Sequence, residues 1–246
     1  MANQLDLEEQ EQLDQLKAFW KQYGNLITWA LIVVLAAFAG WNLYKRWQVN
    51  QASQASALFD ELDRVVKTGD VAKIDRVFTD LKDKFPSTTY AHQSALLVAK
   101  AYFEAGKSAE SKTALTWVAE KSSDEGYQAI ARLRLSGILM NDKAYDEAIK
   151  QLTGTFPAGF SALVADRKGD ALMLQGKKAE ARTEYEKAYK EFEEGTEYRR
   201  LVAVKLNALG VNPVADVKPE GQADTKADMK PEASPAVPAT STDTKK

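Results

Sequence analysis

The sequence predicts an all-α protein: a single N-terminal transmembrane helix, then a solenoid of helical hairpins closed by a C-terminal capping helix. Three observations predict it. An uncharged run of 23 residues, Gln22 to Tyr44, lies near the N-terminus. Past Trp47 apolar residues recur at three- and four-residue spacing, with no alternating strand pattern and no hairpin-turn dipeptide between apolar runs. A set of small and large residues at fixed offsets returns every 33 to 37 residues.

Composition removes several function classes. Lys and Arg number 33 against 35 Asp and Glu, so no basic excess exists to neutralise a phosphate backbone. The absence of cysteine removes disulfides, thiolate nucleophiles and cysteine metal sites, and leaves the redox compartment open. The single histidine, His92, cannot make a histidine-based metal site. We expect no cofactor and no enzyme activity. No phosphate-binding loop and no nucleophile elbow is present, and acid pairs such as Asp146 and Glu147 point to different sides of a helix.

The uncharged run would span about 34 Å as a helix, against a hydrocarbon core ~30 Å thick. Trp20, Tyr23 and Trp29 lie toward one end and Trp41, Tyr44 and Trp47 toward the other, as interfacial aromatic belts do. Two alternatives are a buried helix of a soluble domain and a signal peptide cleaved after Ala37-Phe38-Ala39. The acidic start weighs against the second, because signal peptides begin with positive charge: five acids precede the run against only Lys17 and Lys21. Orientation is a tie, with Lys17 and Lys21 on one flank and Lys45 and Arg46 on the other. Before the span, Leu13, Leu16, Trp20 and Tyr23 make one apolar stripe, suited to lying on the bilayer or to docking a partner.

The repeat is clearest around Leu172. Gly169, Leu172, Ala181 and Tyr185 follow the tetratricopeptide order of small, large, small, aromatic, and Ala188 closes the set. The same offsets hold Ser136, Leu139, Ala148 and Leu152, then Ala99, Tyr102, Ser111 and Leu115, then Leu62, Val65, Ile74 and Phe78, followed by Pro86. Small side chains are needed where two antiparallel helices approach closely, and large ones fill the space beside them. Leu62 and Ile74 depart from that rule, so the first unit is expected to be looser or atypical. Gly69, Gly106 and Gly176 stand at the turns between helices; in the third unit the place is taken by Lys143. Residues 195–209 read as a closing helix, with Leu201, Val204 and Leu206 covering the last face. The divisions are an N-terminal amphipathic segment 1–21, a span 22–44, a tetratricopeptide-like (TPR-like) domain 48–210 and a tail 211–246. The tail holds five of the seven prolines and no aromatic residue, a composition expected to stay disordered.

In stacked hairpins the first helix of each unit lines the concave face. Taking Leu62, Ala99, Ser136 and Gly169 as position eight, positions two, five, nine and twelve place Phe59, Leu96, Phe103, Ile130, Leu133, Met140, Leu163 and Met173 there. An apolar groove holding aromatics and adaptable methionines suits extended client chains. The competing reading is that these side chains are simply core.

Several runs together resemble the YfgM family, ancillary subunits of the bacterial Sec translocon. They are EEQEQLDQLKAFWKQYGN, AKAYFEAGKSAESKTALTWVAE, IARLRLSGILMNDKAYDEAI and DRKGDALMLQGKKAEAR, and the likeness covers residues 7 to 209. The Lys/Pro/Ala tail lies outside it. The resemblance implies a single-pass inner-membrane protein with a cytoplasmic N-terminus and a periplasmic repeat domain. It implies association with the SecYEG translocon and a PpiD-type membrane-anchored periplasmic folding factor, and chaperone-like handling of nascent secreted chains. The spacing alone yields an anchored protein-binding module, and the tie in flanking charge leaves a cytoplasm-facing scaffold recruiting soluble partners as the alternative.

Overall fold

The computed structural model describes residues 7–213, with side chains placed from residue 11. Most of the tail expected to be disordered, from residue 214 on, lies outside the described residues, as do the first six. The described residues form helices joined by turns, with no strand among them. Helix α1 runs without interruption from Leu7 to Thr68. It is long and apolar enough to cross a membrane, and its most apolar stretch is exposed. Its last turns are also the first helix of the first hairpin, because Ala55 and Leu62 are fully buried there. The sequence boundary between residues 44 and 48 therefore corresponds to no break in the backbone.

The hairpins follow in order. α1 pairs with α2 (Val71–Lys84), α3 (Thr89–Glu104) with α4 (Ser108–Lys121), and α5 (Glu125–Asn141) with α6 (Tyr145–Gln151). α7 (Ser161–Leu174) then pairs with α8 (Lys178–Glu191), and α9 (Glu197–Ala208) closes the stack. Two of the first helices, α3 and α5, are capped by side chains: Thr88 accepts from the Ala91 N–H at 3.3 Å, and Asp124 from Gly126 and Tyr127 at 2.7 and 3.1 Å.

One backbone device closes the second, third and fourth hairpins. The Lys107 N–H reaches the Tyr102 carbonyl at 2.8 Å, Ala144 reaches Leu139 at 2.8 Å, and Lys177 reaches Leu172 at 2.9 Å. Each bond needs the preceding residue in the left-handed region, which favours glycine. Gly106 and Gly176 sit there with φ of 77° and 79°, and Lys143 takes the same conformation with φ of 63°. The register read from spacing thus holds at the one unit where the residue type breaks the pattern.

Within the hairpins the small residues meet as expected. Ser111 is fully buried on α4 and donates to the Ala99 carbonyl on α3 at 2.6 Å. Ala181 and Ala148 are fully buried. In the first hairpin the corresponding Leu62 and Ile74 are 0% and 1% exposed, so that unit closes on a large pair. The third unit is the irregular one. α6 has seven residues, and Pro157 ends any chance of extending the segment as helix. Arg132 on α5 holds the segment that follows, donating to the carbonyls of Gln151 at 2.8 Å, Thr155 at 3.2 Å and Thr153, with its guanidinium 3.9 Å from the Phe156 ring centre.

The closing helix buries Leu206 as expected but turns Leu201 and Val204 outward. Val202 and Leu206 are 1% and 0% exposed and pack against α7 and α8, whereas Leu201 and Val204 are 57% and 65% exposed. Lys205 sets this rotation: its ammonium reaches Asp166 and Asp170 on α7 at 2.6 Å each. The run RRLVAVKL is apolar on two faces, and only the neighbouring carboxylates choose between them.

Candidate functional site

The first helices α3, α5 and α7 leave two hollows along their exposed side. The first, of about 450 Å³, has Ala99, Leu115 and Ile138 beneath it and Phe103 at its edge. The second, of about 560 Å³, is bounded by Met140, Met173, Leu174 and Tyr185. Gly137 and Asn141 line both, so the hollows adjoin. A Cβ placed on Gly137 would meet nothing within 4 Å. The glycine therefore leaves the space open without serving any close helix contact. Phe103 and Leu174, 42% and 55% exposed, stand beside that opening.

Of the eight side chains assigned from spacing, Phe103, Met140 and Met173 line these hollows. Met140 is buried, at 8% exposure, and belongs to the main core, while Met173 is half-buried. Leu96 is buried in the main core. Ile130 is half-buried against that core, and Phe59 is half-buried with its ring 5.9 Å from that of Tyr90. Leu133 and Leu163 are half-buried and line neither hollow. Spacing restricted to apolar residues missed the polar lining, namely Lys100, Arg134, Asn141, Lys143 and Arg167, as well as Gly137. Two signals were present: Lys100 and Gly137 hold position nine, and Arg134 recurs 33 residues later as Arg167.

The ionisable groups near the second hollow are struts. The Tyr185 hydroxyl donates to Asp170 at 2.8 Å, and Lys205 bridges Asp170 and Asp166. Burial pushes the Tyr185 hydroxyl well above the usual phenol range, and the Asp170 bond adds to it. Burial also raises Asp166, against the pull of Lys205. Tyr102 donates in the same way to Asp75 and is raised for the same reasons. A phenol held protonated and donating to a carboxylate fixes two helices together and offers no proton near neutral pH. His92 is buried at 3% exposure between the rings of Trp117 and Tyr127, with Nδ1 3.4 Å from the Ser122 hydroxyl. Burial holds its pKa below the ordinary value, with Asp124 opposing. Among the described residues no group of acidic or imidazole side chains is placed to hold a metal.

The chain matches the tetratricopeptide repeat-like domain family over residues 17–211. It is 29% identical over 204 residues to the ancillary SecYEG translocon subunit of Neisseria gonorrhoeae, covering 82% of this chain and 98% of that protein. It is 30% identical to the subunit of the same name in Haemophilus influenzae, over 82% and 98% of the two chains. With that of Escherichia coli it shares 26% identity over 82% and 97%. No solved structure matches the chain.

Proposed function

We propose a function that proceeds from one premise: the chain belongs to the family of ancillary SecYEG translocon subunits, which carry a tetratricopeptide repeat-like domain. It is a non-enzymatic, membrane-anchored protein-binding module that associates with the translocon and assists secreted chains as they enter the periplasm. The span at residues 22–44 is the anchor, residues 1–21 lie in the cytoplasm, and the TPR-like domain at 48–210 lies in the periplasm. Its partners are the SecYEG translocon, a PpiD-type folding factor and nascent secreted chains.

One observation carries this reading. The helix that is apolar enough to span a membrane continues unbroken into the repeat stack whose first helices bear the open apolar hollows. Tyr44 and Ala55 are eleven residues apart on α1, a rise of about 16 Å. A repeat stack whose first hairpin starts that close to the span suits a client emerging from a channel in the same membrane. Exposed Phe103 with Met140 and Met173 offers contact without strict sequence demands.

Two experiments test it. A reporter fused at Lys246 is expected to be active only on the periplasmic side; activity only in the cytoplasm would favour the opposite scaffold, which the balanced Lys17, Lys21, Lys45 and Arg46 flanks also permit. Phe103→Ser combined with Leu174→Ser, both exposed side chains on the hollows, is expected in the full-length protein to stay folded and lose cross-links to translocon subunits and a secreted chain. A variant that unfolds by several kcal/mol, as a core truncation would, places binding elsewhere.

A further inference from the structure

We propose that the joined hollows along α3, α5 and α7 bind an extended segment of a partner protein in which acidic side chains are interspersed with apolar ones. This rests on the binding face just described and adds the partner's chemistry.

The chain as a whole is slightly acidic, with a formal charge of −2. The lining of the hollows is the reverse: its cations are Lys100, Arg134, Lys143 and Arg167, and its one acid is Asp170. Asp170 is already engaged by Lys205 at 2.6 Å and by the Tyr185 hydroxyl at 2.8 Å, so it does not offset the row. Arg134 spends one N–H on the Leu96 carbonyl at 3.0 Å, which leaves its charge unneutralised. Among the described residues Lys100 pairs with Glu104 alone, one turn along its own helix at 3.6 Å, with both side chains exposed. Lys143 and Arg167 make no salt bridge among the described residues. Their side chains are exposed.

The floor decides against a purely electrostatic ligand. Ala99, Leu115 and Ile138 beneath the first hollow, and Met173 and Leu174 beside the second, call for apolar side chains. Gly137 keeps the passage between the two open. A single extended strand, its side chains pointing alternately to two sides, can put apolar groups on that floor and carboxylates against the arginines. A curved bilayer headgroup surface cannot fill a hollow floored by side chains, which is why the peptide is the occupant chosen.

The test uses the full chain in phosphatidylcholine nanodiscs. Its probe is a synthetic twelve-residue peptide alternating Leu with Glu, compared with the same peptide carrying Gln. Fluorescence anisotropy is expected to show the Glu peptide binding about tenfold more tightly at low salt, with the gap closing as ionic strength rises. Arg134→Gln with Arg167→Gln is expected to remove the gap, with the Glu peptide falling to the affinity of the Gln peptide. Gly137→Trp, whose Cβ has open space around it and whose indole would occupy the passage, is expected to abolish binding of both. Equal affinity for the two peptides overturns the charge inference and leaves the binding face standing. Peptide binding that Gly137→Trp does not alter overturns the location. If the double Arg variant instead loses only its attraction to phosphatidylglycerol vesicles, the cations serve lipid and the inference fails. The cross-linking experiment above fails or succeeds independently of these outcomes.

Discussion

Two glycines on first helices, one register step apart, sit in opposite surroundings. Gly169 in α7 is buried, and a Cβ there would lie 2.5 and 2.6 Å from the Tyr185 ring. Gly137 in α5 would carry a Cβ that meets nothing within 4 Å. At Gly169 the missing side chain lets two helices touch. At Gly137 it keeps a surface empty. The repeat's small position is therefore structural, and at the position beside it the third unit leaves a surface open.

The comparison can be broken most forcefully at the seam. Tyr185 cannot swing away from a new side chain at 169 without losing its bond to Asp170. Gly169→Leu is expected to cost about 3 kcal/mol, which lowers the melting temperature of the full-length protein in detergent by roughly 6–12 °C. Ala181→Leu, on the facing helix, is expected to lower it by a smaller margin. An unchanged melt for both would mean that the helices do not meet at these residues.

A gentler change sharpens the same contrast at the turns. Lys143 holds a conformation that glycine adopts at the two equivalent turns. Lys143→Gly is expected to stabilise the protein by about 1 kcal/mol, seen as a raised denaturation midpoint, because the left-handed backbone strains a side chain. A lowered midpoint would show that the lysine's other contacts outweigh the strain. Smaller still, Gly137→Ala is expected to stabilise by roughly 0.5–1 kcal/mol, since a helical glycine with open space around it loses entropy and gains no contact. Loss of stability there would mean that the space is not open.

The smallest effect is tied to pH. His92 has a folded pKa below its ordinary 6.5, chiefly because it is buried. The unfolded chain therefore takes up a proton first as pH falls. The stability held by neutral His92 is complete above pH 6.5 and declines as the pH drops through the folded value. Melting at pH 7.5 and 5.5 should show a larger loss for the native chain than for His92→Gln. Equal losses would place the histidine in contact with solvent.

Much of this architecture was legible in the sequence because close packing leaves a trace in residue size. Ala99 with Ser111 and Gly169 with Ala181 were placed by offsets alone, and the place of Lys143 at a glycine turn followed from counting. The open face was less legible. Periodicity reports that Leu96 and Phe103 are apolar, but not that the first is covered by neighbours and the second 42% exposed. The same limit explains α9, where Leu201 and Val202 are equally apolar and two carboxylates on α7 decide which turns inward. Gly137 leaves no mark on an apolar pattern, because a missing side chain carries no periodic signal.

The central claim is that the face opened by Gly137 is where partners bind. Gly137→Ala and Gly137→Trp test it as a pair in the full-length protein, with cross-linking to translocon subunits and a secreted chain measured alongside melting. Both variants are expected to melt at or above the native temperature. The alanine variant should keep its cross-links and the tryptophan variant should lose them. A folded tryptophan variant that cross-links as strongly as the native chain would contradict the account.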